Sequence, residues 1–366
     1  MHPMIKPALR RGWRDRQTVQ YGVTPAHAVV LGPVSDTTAA FMELMDGTRS
    51  LDQLRGEAGR LGLGPEIPER LTERLAEAGV LDDATADRAA AASVGDRLRP
   101  DLASLTAVHR EPGGGLRRLA ARRSARVRVR GAGRVGAMIA ATLSAAGVGQ
   151  VDVTDGGEVA PWDTAPGGIP AECAGKRRES AARGVVHRAR AWRGRAEGEV
   201  ALTVVAPRDG LDAYAPDLET SEHFVRAGTP HLYGGVVEGT GVVGPLVLPG
   251  TTPCAGCALR SRAEREPSWP LLVGQWRTSG RRRSGIPACD LALATVVAGA
   301  TASYALSFLD GDGGCAAGYR LRFSLPHLLP GTEQFTPHAE CPCGAASVSE
   351  APAPSGNHRA QATMTG

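Results

Sequence analysis

The chain has 366 residues, of which 42% are hydrophobic and 22% are charged, a composition typical of a soluble globular protein with room for two domains. Its formal net charge of +4 is too small to indicate nucleic-acid binding by itself. The basic N-terminal residues are not followed by an apolar segment, and the apolar run at residues 291–309 is interrupted by Thr, Ser and Gly. We therefore expect no signal peptide, a buried helix rather than a membrane span, and a cytoplasmic protein.

The chain divides into four parts by composition and apolar patterning. These are a winged-helix-like α+β domain (residues 1–84), a linker (85–100), a larger α/β domain (101–344) and a tail (345–366). The tail is rich in Ala, Ser, Pro and Gly and has almost no large hydrophobic residues, so we expect it to be disordered.

The first domain is predicted to contain two strands and three helices. Strands are expected at residues 18–21 and 27–31, on either side of a Gly-Val-Thr-Pro turn. Ser35 and Ser50 are suitable N-caps for the first two helices, because apolar residues follow each of them at helical spacing. The third helix is predicted at residues 65–78 by the same spacing.

A nucleotide-binding fingerprint opens the larger domain. The alternating segment Arg126–Arg130 predicts a strand, and it leads into a G-x-G-x-x-G motif formed by Gly131, Gly133 and Gly136. A helix, a second strand and Asp155 follow in the order typical of a Rossmann-type unit. The glycines allow backbone to approach phosphate oxygens, and Asp155 is predicted to accept hydrogen bonds from ribose hydroxyls. The motif does not distinguish NAD from ATP, and a glycine turn that binds nothing is the alternative.

Four of the seven cysteines lie in two close pairs, Cys254 with Cys257 and Cys341 with Cys343. Four thiolates on two loops suit a closed tetrahedral zinc site, which stabilises the fold and leaves no open position for chemistry. His338 is an alternative ligand, because the C-x-C spacing is tighter than the usual C-x-x-C. A redox C-x-x-C or unrelated thiols are the alternatives to a metal site.

These motifs together resemble the ThiF/MoeB/HesA-like family of the E1 (ubiquitin-like activating) superfamily. The segments that carry the resemblance are residues 131–136, 147–149, 155–159, 175–178, 228–232, 239–244 and 253–257, and a long helix at 290–309. The resemblance implies a Rossmann-like ThiF fold with a zinc knot, a homodimer, and ATP with Mg²⁺ as cofactors. It also implies adenylation of the C-terminal carboxylate of a small ubiquitin-like carrier protein.

Several polar residues of that family are missing here. Position 157 is glycine where the family has the second Asp of Asp-Gly-Asp, and residues 162–168 replace a polar Asn-Leu-x-Arg-Gln segment. Arg178 stands where the family's lysine contacts phosphates, with Lys176 two residues earlier. Asp209 is the candidate for the family's acidic residue near the metal and triphosphate. Because adenylation depends on positioning phosphates and stabilising charge, we expect a degenerate site.

The N-terminal domain resembles the winged-helix domains that bind leader peptides in ThiF-like proteins of azole and thiopeptide biosynthesis. Those domains add an extended peptide as a strand beside a helix, here the helix at residues 65–78, with Leu71 and Leu75 as apolar anchors. A DNA-binding winged helix is the alternative, but this helix is acidic and would be repelled by phosphates. Three glutamates on it favour a peptide with basic positions: Glu69, Glu73 and Glu77.

Two functions from different classes follow. In the first, the chain binds a ribosomal precursor peptide and docks a partner such as a YcaO-type cyclodehydratase, without catalysing a reaction. In the second, it is an active ATP-dependent adenylyltransferase. The missing polar groups favour the first function, and the intact glycine motif supports the second. The basic run at residues 277–285 is predicted to be a solvated loop, with contact to nucleotide phosphates or to an acidic peptide as the alternative.

Overall fold

The computed structural model describes residues 1–85, 95–192, 194, 196–282, 285–312 and 317–348. Contacts between residues divide the chain into two compact units, one from Met1 to Ala120 and the other from Ala121 onward. Each unit has its own hydrophobic core.

The first unit combines short strands with helices. Its elements are β1 (Pro3–Ile5), β2 (Arg11–Trp13), β3 (Val19–Tyr21), β4 (Val29–Leu31), α1 (Asp36–Glu43), α2 (Leu51–Arg60), α3 (Ile67–Glu77), β5 (Leu81–Asp83), a 3-10 helix (Asp96–Leu98) and α4 (Arg99–Val108). Strands β2, β3 and β4 form an antiparallel sheet in that order, and β1 pairs with β5. The point of division lies within α5 (Gly114–Ser124).

Local sequence explains where the first helices begin. The side chain of Ser35 accepts a hydrogen bond from the N–H of Thr38, and Ser50 forms a capping box with Gln53. Both serines satisfy N–H groups that have no partner inside the helix. The core of the unit consists of buried side chains, among them those of Tyr21, Phe41, Met45, Leu54, Leu75 and Leu81.

The predicted strands at residues 18–21 and 27–31 are present as β3 and β4. The sequence does not indicate β1, β2 and β5, because three-residue strands are too short to show an alternating pattern. Leu75 is fully buried in the core of the unit, so the expectation that it anchors a peptide is wrong. Leu71 is half-buried and still accessible.

The second unit is an α/β domain. Its elements are β6 (Arg126–Arg130), α6 (Arg134–Ala145), β7 (Gln150–Thr154), two 3-10 helices (Pro161–Asp163 and Ala171–Cys173), α7 (Arg178–Ala189), β8 (Leu202–Val205), α8 (Leu211–Tyr214), α9 (Leu218–Arg226), β9 (His231–Val237), β10 (Thr240–Val247), α10 (Ala255–Arg265), α11 (Trp269–Arg282), α12 (Leu291–Leu309), β11 (Tyr319–Ser324), β12 (Leu329–Gln334) and α13 (Ala345–Val348).

A seven-stranded sheet runs through this unit in the order β12-β11-β10-β9-β8-β6-β7. The strands from β7 to β9 pair in parallel, and those from β9 to β12 pair antiparallel. The Rossmann-like α/β fold predicted from the glycine motif is therefore confirmed. The antiparallel half was not apparent from the motifs, since none of them lies on β11 or β12.

Helix α12 packs on the sheet and on α6. It has the length and apolar composition of a membrane span, and 39% of that span is buried inside the unit. Its buried residues fall on one face, at Leu293, Ala294, Val297, Ala298, Thr301, Ala302 and Ala305. Leu291, in the first turn, and Val296, on the side away from the buried residues, are exposed. The helix is thus half-buried, and apolar side chains of it are uncovered within the described part of the chain.

In three other segments the structure differs in detail from the sequence-based prediction. Residues 345–348, placed in the tail by composition, form α13 with Ala345 fully buried, and residues 349–366 lie outside the described part. Residues 96–100 of the predicted linker belong to helices, and 86–94 are not described. In the basic run, Arg277 lies in α11 and pairs with Asp212 and Asp217, so this part of the run is not a free loop.

Two helical glycines of the second unit provide a matched test of backbone packing. A Cβ on Gly136 in α6 would lie 2.2 Å from the carbonyl oxygen of Gly131, whereas a Cβ on Gly299 in α12 would have nothing within 4 Å. We expect Gly136→Ala to lower the free energy of unfolding by about 2 kcal/mol or more. Gly299→Ala should raise it by about 0.5–1 kcal/mol through helix propensity. Urea unfolding of the full chain checks both, and equal effects would contradict the packing argument.

Candidate functional site

The turn between β6 and α6 depends on two glycines that lie against backbone. Gly131 has a φ of +109°, and a Cβ there would lie 1.9 Å from the carbonyl oxygen of Ala206. Gly136 approaches the carbonyl oxygen of Gly131 in the same way. Since only glycine tolerates these approaches, both positions are explained by packing of the strand–turn–helix unit itself.

Gly133 has a different environment. It is the N-cap residue of α6, and a Cβ there would lie 3.1 Å from Cγ of Arg208. The side chain of Arg208 therefore lies over the glycine at which a phosphate would approach the backbone in a Rossmann-type site.

Asp155 directly follows β7, and its carboxylate is held by the protein. Oδ2 accepts a hydrogen bond of 2.5 Å from the N–H of Ala132, and Oδ1 accepts one of 3.0 Å from Nε of Arg178. The side chains of Asp155 and Arg178 are only 8% and 15% exposed. The carboxylate that the sequence assigns to a ribose is thus part of a buried ion pair.

Arg178 lies at the start of α7 and reaches back over the loop that follows β7. Its Nη1 donates to the carbonyl oxygen of Glu158 at 2.5 Å, and its Nη2 donates to that of Gly156. A Cβ at Gly157 would lie 2.9 Å from Nη2, so the guanidinium lies directly against this glycine. The glycine at 157 and the arginine at 178, noted above as separate departures, therefore belong to one local arrangement.

Asp163, Arg208 and Arg134 complete the site and are not singled out by the sequence. Asp163 is 2% exposed, and it pairs with Nε of Arg208 at 2.6 Å and with Nη1 of Arg178 at 3.7 Å. The only sequence signal for it is an acidic residue within 162–168, the segment where polar residues were expected. The result is a chain of alternating charges that links Asp155 to Arg208.

A cavity of about 370 Å³ opens beside these residues. Its charged lining residues are Arg134, Arg208, Asp163 and Asp290. Its apolar walls come from Trp162, Ile286, Pro287 and Leu325. The volume lies in the range of small-molecule sites, and the wall carries two guanidinium groups and two carboxylates.

The other two candidate residues lie apart from this network. Lys176 is exposed in the loop before α7, and Asp209 is exposed and caps α8 through a 3.2 Å hydrogen bond from the N–H of Leu211. Within the described part of the chain, neither side chain contacts Asp155 or Arg178. The structure therefore brings together the three glycines, Asp155 and Arg178, but not the remaining two.

The four paired cysteines meet at one place. Cys254 is the N-cap residue of α10 and Cys257 lies in its first turn, while Cys341 and Cys343 come from the loop before α13. Their four sulfur atoms lie within 4.8 Å of one another. The separation is 4.0 Å for Cys254 and Cys257, 3.6 Å for Cys254 and Cys341, and 3.5 Å for Cys257 and Cys343. Thiolates at ~2.3 Å from a tetrahedral metal are about 3.8 Å apart, so the donor set fits a metal ion.

The thiols of the cluster differ in how readily they ionise: a hydrogen bond to Cys257 raises the pKa of Cys254, and burial raises the pKa of Cys341 to about 11. A hydrogen bond from the Cys254 thiol, the largest cause, lowers the pKa of Cys257 to about 4. Nη1 of Arg260 lies 3.8 Å from Sγ of Cys341 and brings positive charge to the sulfurs. His338 is not a ligand here, because its Nε2 contacts Glu264 at 2.9 Å and its Nδ1 accepts from a backbone N–H. The alternative of His338 as a substitute ligand is therefore wrong.

Comparisons with known proteins agree with this fold. The sequence profile of the ThiF family matches residues 112–344. E. coli MccB in its structure with ATP superimposes with a TM-score of 0.69 and 13% identity, covering 94% of this chain and 99% of MccB. The microcin C7 biosynthetic enzyme MccB in complex with N-formylated MccA gives 0.70 and 12%, covering 94% and 100%. No curated protein sequence matches the chain.

The heterocyclase TruD is also similar. It superimposes with a TM-score of 0.59 and 18% identity over 94% of this chain. The match covers 43% of TruD, so the chain spans less than half of that larger protein. At these identities the similarity concerns the fold, which here extends over both units.

The cysteine cluster leads to a test of metal content. We expect one metal ion per chain, and we expect Cys254→Ser to lose it and to destabilise the second unit, because a structural metal contributes to folding. Cys173→Ser is the control, since Cys173 is half-buried outside the cluster. Elemental analysis by plasma mass spectrometry gives the readout. A folded wild-type protein without metal, whose four thiols titrate freely, would contradict this expectation.

Proposed function

Because the chain belongs to the ThiF family, we propose that it binds a ribosomally made precursor peptide and docks a partner modification enzyme, with a nucleotide site that is degenerate for adenylation. The fold similarity to MccB, which is known in complex with MccA, and to the heterocyclase TruD supports this direction. A YcaO-type cyclodehydratase is the partner we propose, with both proteins in the cytoplasm.

The ion pair between Arg178 and Asp155 carries the degenerate part of the proposal. Arg178 uses its donors on Asp155, on Asp163 and on two carbonyl oxygens of the loop after β7. Turning this guanidinium toward a triphosphate would leave the largely buried carboxylate of Asp155 without its cation, whereas Asp163 would keep Arg208. Removing one partner of a buried ion pair costs about 3–5 kcal/mol, which works against phosphate binding.

The surroundings of Asp155, the residue predicted to bind ribose, also support a degenerate nucleotide site. Both of its oxygens already accept hydrogen bonds from the chain, and its side chain is only 8% exposed, so little of the carboxylate is open to a ribose hydroxyl. Arg208 adds steric cover over Gly133. Adenylation requires preorganised groups at the reacting phosphates, and the described residues offer few that are not already paired.

An active adenylyltransferase is the second candidate, and the cavity favours it. The glycine turn has the geometry of a Rossmann site, and the 370 Å³ cavity beside it has Arg134 and Arg208 on its wall. A nucleotide with Mg²⁺ and the C-terminus of a carrier protein would then bind there. Asp209 is exposed and would be available to a metal ion.

The first unit supports the peptide-binding part of the proposal. β2 and β4 are the outer strands of its three-stranded sheet, and an edge strand offers unpaired N–H and C=O groups to an added strand. Glu73 and Glu77 on α3 are exposed, whereas Glu69 pairs with Arg55. Two of the three predicted glutamates are therefore placed to attract basic positions of a peptide and to repel DNA.

We further propose that the four-cysteine site is a structural zinc site and that the protein is a homodimer. Four sulfur donors at tetrahedral spacing select zinc and leave no open coordination position. The exposed apolar side chains of α12, Leu291 and Val296, are candidates for burial in a dimer. Light scattering at micromolar concentration checks the dimer, and a monomer would refute it.

The ion pair predicts how the protein behaves with ATP. We expect the wild-type protein to show no ATP–pyrophosphate exchange, with ATP binding either absent or weak. Arg178→Lys should tighten ATP binding about threefold to tenfold, ~0.7–1.4 kcal/mol, because an ammonium group cannot make the same forked contacts and is freer to turn to phosphate. Arg183→Lys on the same helix is the control, since that side chain is 66% exposed.

Calorimetric titration and the exchange assay give the two readouts. Robust exchange by the wild-type protein, stimulated by a carrier ending in Gly-Gly, would overturn the degenerate site and support the enzyme.

Peptide binding is tested with the full chain and labelled precursor peptides by fluorescence polarisation. We expect a dissociation constant below about 0.1 mM, −5.5 kcal/mol. Replacing both Glu73 and Glu77 with Lys should weaken binding of a basic peptide about fivefold or more, ~1 kcal/mol, because charge attraction becomes repulsion. Glu222→Lys, on the exposed side of α9 in the other unit, is the control. Binding of duplex DNA in preference to every peptide would show that the first unit is a DNA reader.

A further inference from the structure

A second, smaller cavity lies in the second unit, away from the glycine motif. It has a volume of about 40 Å³ and lies among α10, α11 and the strands β11 and β12. Its wall includes three aromatic side chains and four charged ones, Tyr214, Trp269, Phe335, Arg262, Arg265, Arg320 and Glu333. None of these residues belongs to the site around Asp155 or to the cysteine cluster.

Arg320 is the most buried charge of this cavity. The residue is 3% exposed, and its Nε has no hydrogen-bond partner in the described part of the chain. Its one carboxylate neighbour, Glu333, lies across from it on β12, with 3.4 Å between Nη1 and Oε2. A charge-assisted hydrogen bond is about 2.7–2.9 Å long, so this pairing is loose. Arginine does not lose its proton in proteins, and the buried charge therefore remains incompletely compensated.

The balance of charge around the cavity is positive. Arg262 and Arg265 line it together with Arg320, and the carboxylate in the wall is that of Glu333. Glu266, next to the cavity, pairs with Arg262 at 3.4 Å, so three guanidinium groups face two carboxylates. Arg262 stacks on Trp269 with 3.4 Å between its Cζ and the ring centroid, and Arg320 lies 5.0 Å from the ring of Phe335. Such cation–π contacts hold the guanidinium groups in place but supply no negative charge. An anion is what this surface lacks.

We propose that this cavity binds a carboxylate group. A water molecule needs about 10–15 Å³ of such space, so the cavity holds roughly three atoms of that size, as many as the carbon and two oxygens of a carboxylate. The planar guanidinium of Arg320, whose charge Glu333 compensates only in part, suits a carboxylate group. Arg265 is exposed at the mouth and marks the side from which the group enters. The source is either a free small acid or an acidic side chain of a polypeptide.

Thermal unfolding of the full chain tests this. Sodium acetate is exchanged for sodium chloride at constant ionic strength, and the midpoint is compared between the wild-type protein and two variants. A ligand that binds only the folded state raises the midpoint. We expect acetate to raise that of the wild-type protein by about 2 °C or more relative to chloride. Arg320→Met should abolish the rise, while Arg322→Gln should retain it, since Arg322 is an exposed arginine two residues along β11 that does not line the cavity.

If Arg320→Met does not fold, Arg265→Gln at the mouth replaces it and should reduce the rise. The same titration with N-acetyl-glutamate amide distinguishes the two sources. Equal or weaker binding than acetate indicates a free acid, and tighter binding indicates an acidic side chain of a polypeptide. An equal unfolding midpoint in chloride and acetate would show that the cavity does not bind a carboxylate specifically, and it would overturn the proposal. An acetate effect of the same size in Arg320→Met, or in Arg265→Gln where Arg320→Met does not fold, would overturn it as well.

Discussion

The close approach of backbone at Gly131 is the constraint on which the second unit depends. The glycine brings the end of β6 against the end of β8, and the start of α6 then packs on the same turn through Gly136. A side chain at either position would separate the helix from the sheet. The parallel half of the sheet, the direction of α6 and the position of Asp155 all follow from this contact.

That geometry alone does not make a phosphate site. In a Rossmann unit the end of the glycine turn is where a phosphate meets backbone N–H groups. Here the space near it holds the side chain of Arg208, and the carboxylate beside it is paired with Arg178. The packing of the glycine turn therefore does not depend on a bound nucleotide, because backbone and side chains of the same chain occupy its surroundings.

The cysteine cluster fixes the other end of the unit. Three of its sulfurs belong to a small buried core with Phe224, Tyr233 and Val247, on β9, β10 and α9. A loop far along the chain is thereby joined to the start of α10. Because the antiparallel strands β11 and β12 lie between these two segments in sequence, the cluster also closes the part of the sheet that the glycine motif does not organise.

The sequence by itself determined the features that depend on local spacing. The glycine turn, the strand before it, the cysteine pairs and the serine caps of α1 and α2 each follow from a few adjacent residues with one physical requirement. The short strands β1, β2 and β5 could not be found in this way, because three residues carry no period. Leu75 looked like a surface anchor, since a stripe at helical spacing does not reveal which part of it faces the core.

Only the tertiary structure decided what the charged residues do. Arg178 and Asp155 are 23 residues apart in the chain, and Asp163 and Arg208 are separated by 45, so no motif relates them. Their pairing arises because parallel strands end at one edge of the sheet and bring their following loops together. The sequence determined that a nucleotide-type turn is present, whereas the fold decided that its carboxylate meets an arginine of the same chain, because burial removes both charges from water and so favours their pairing.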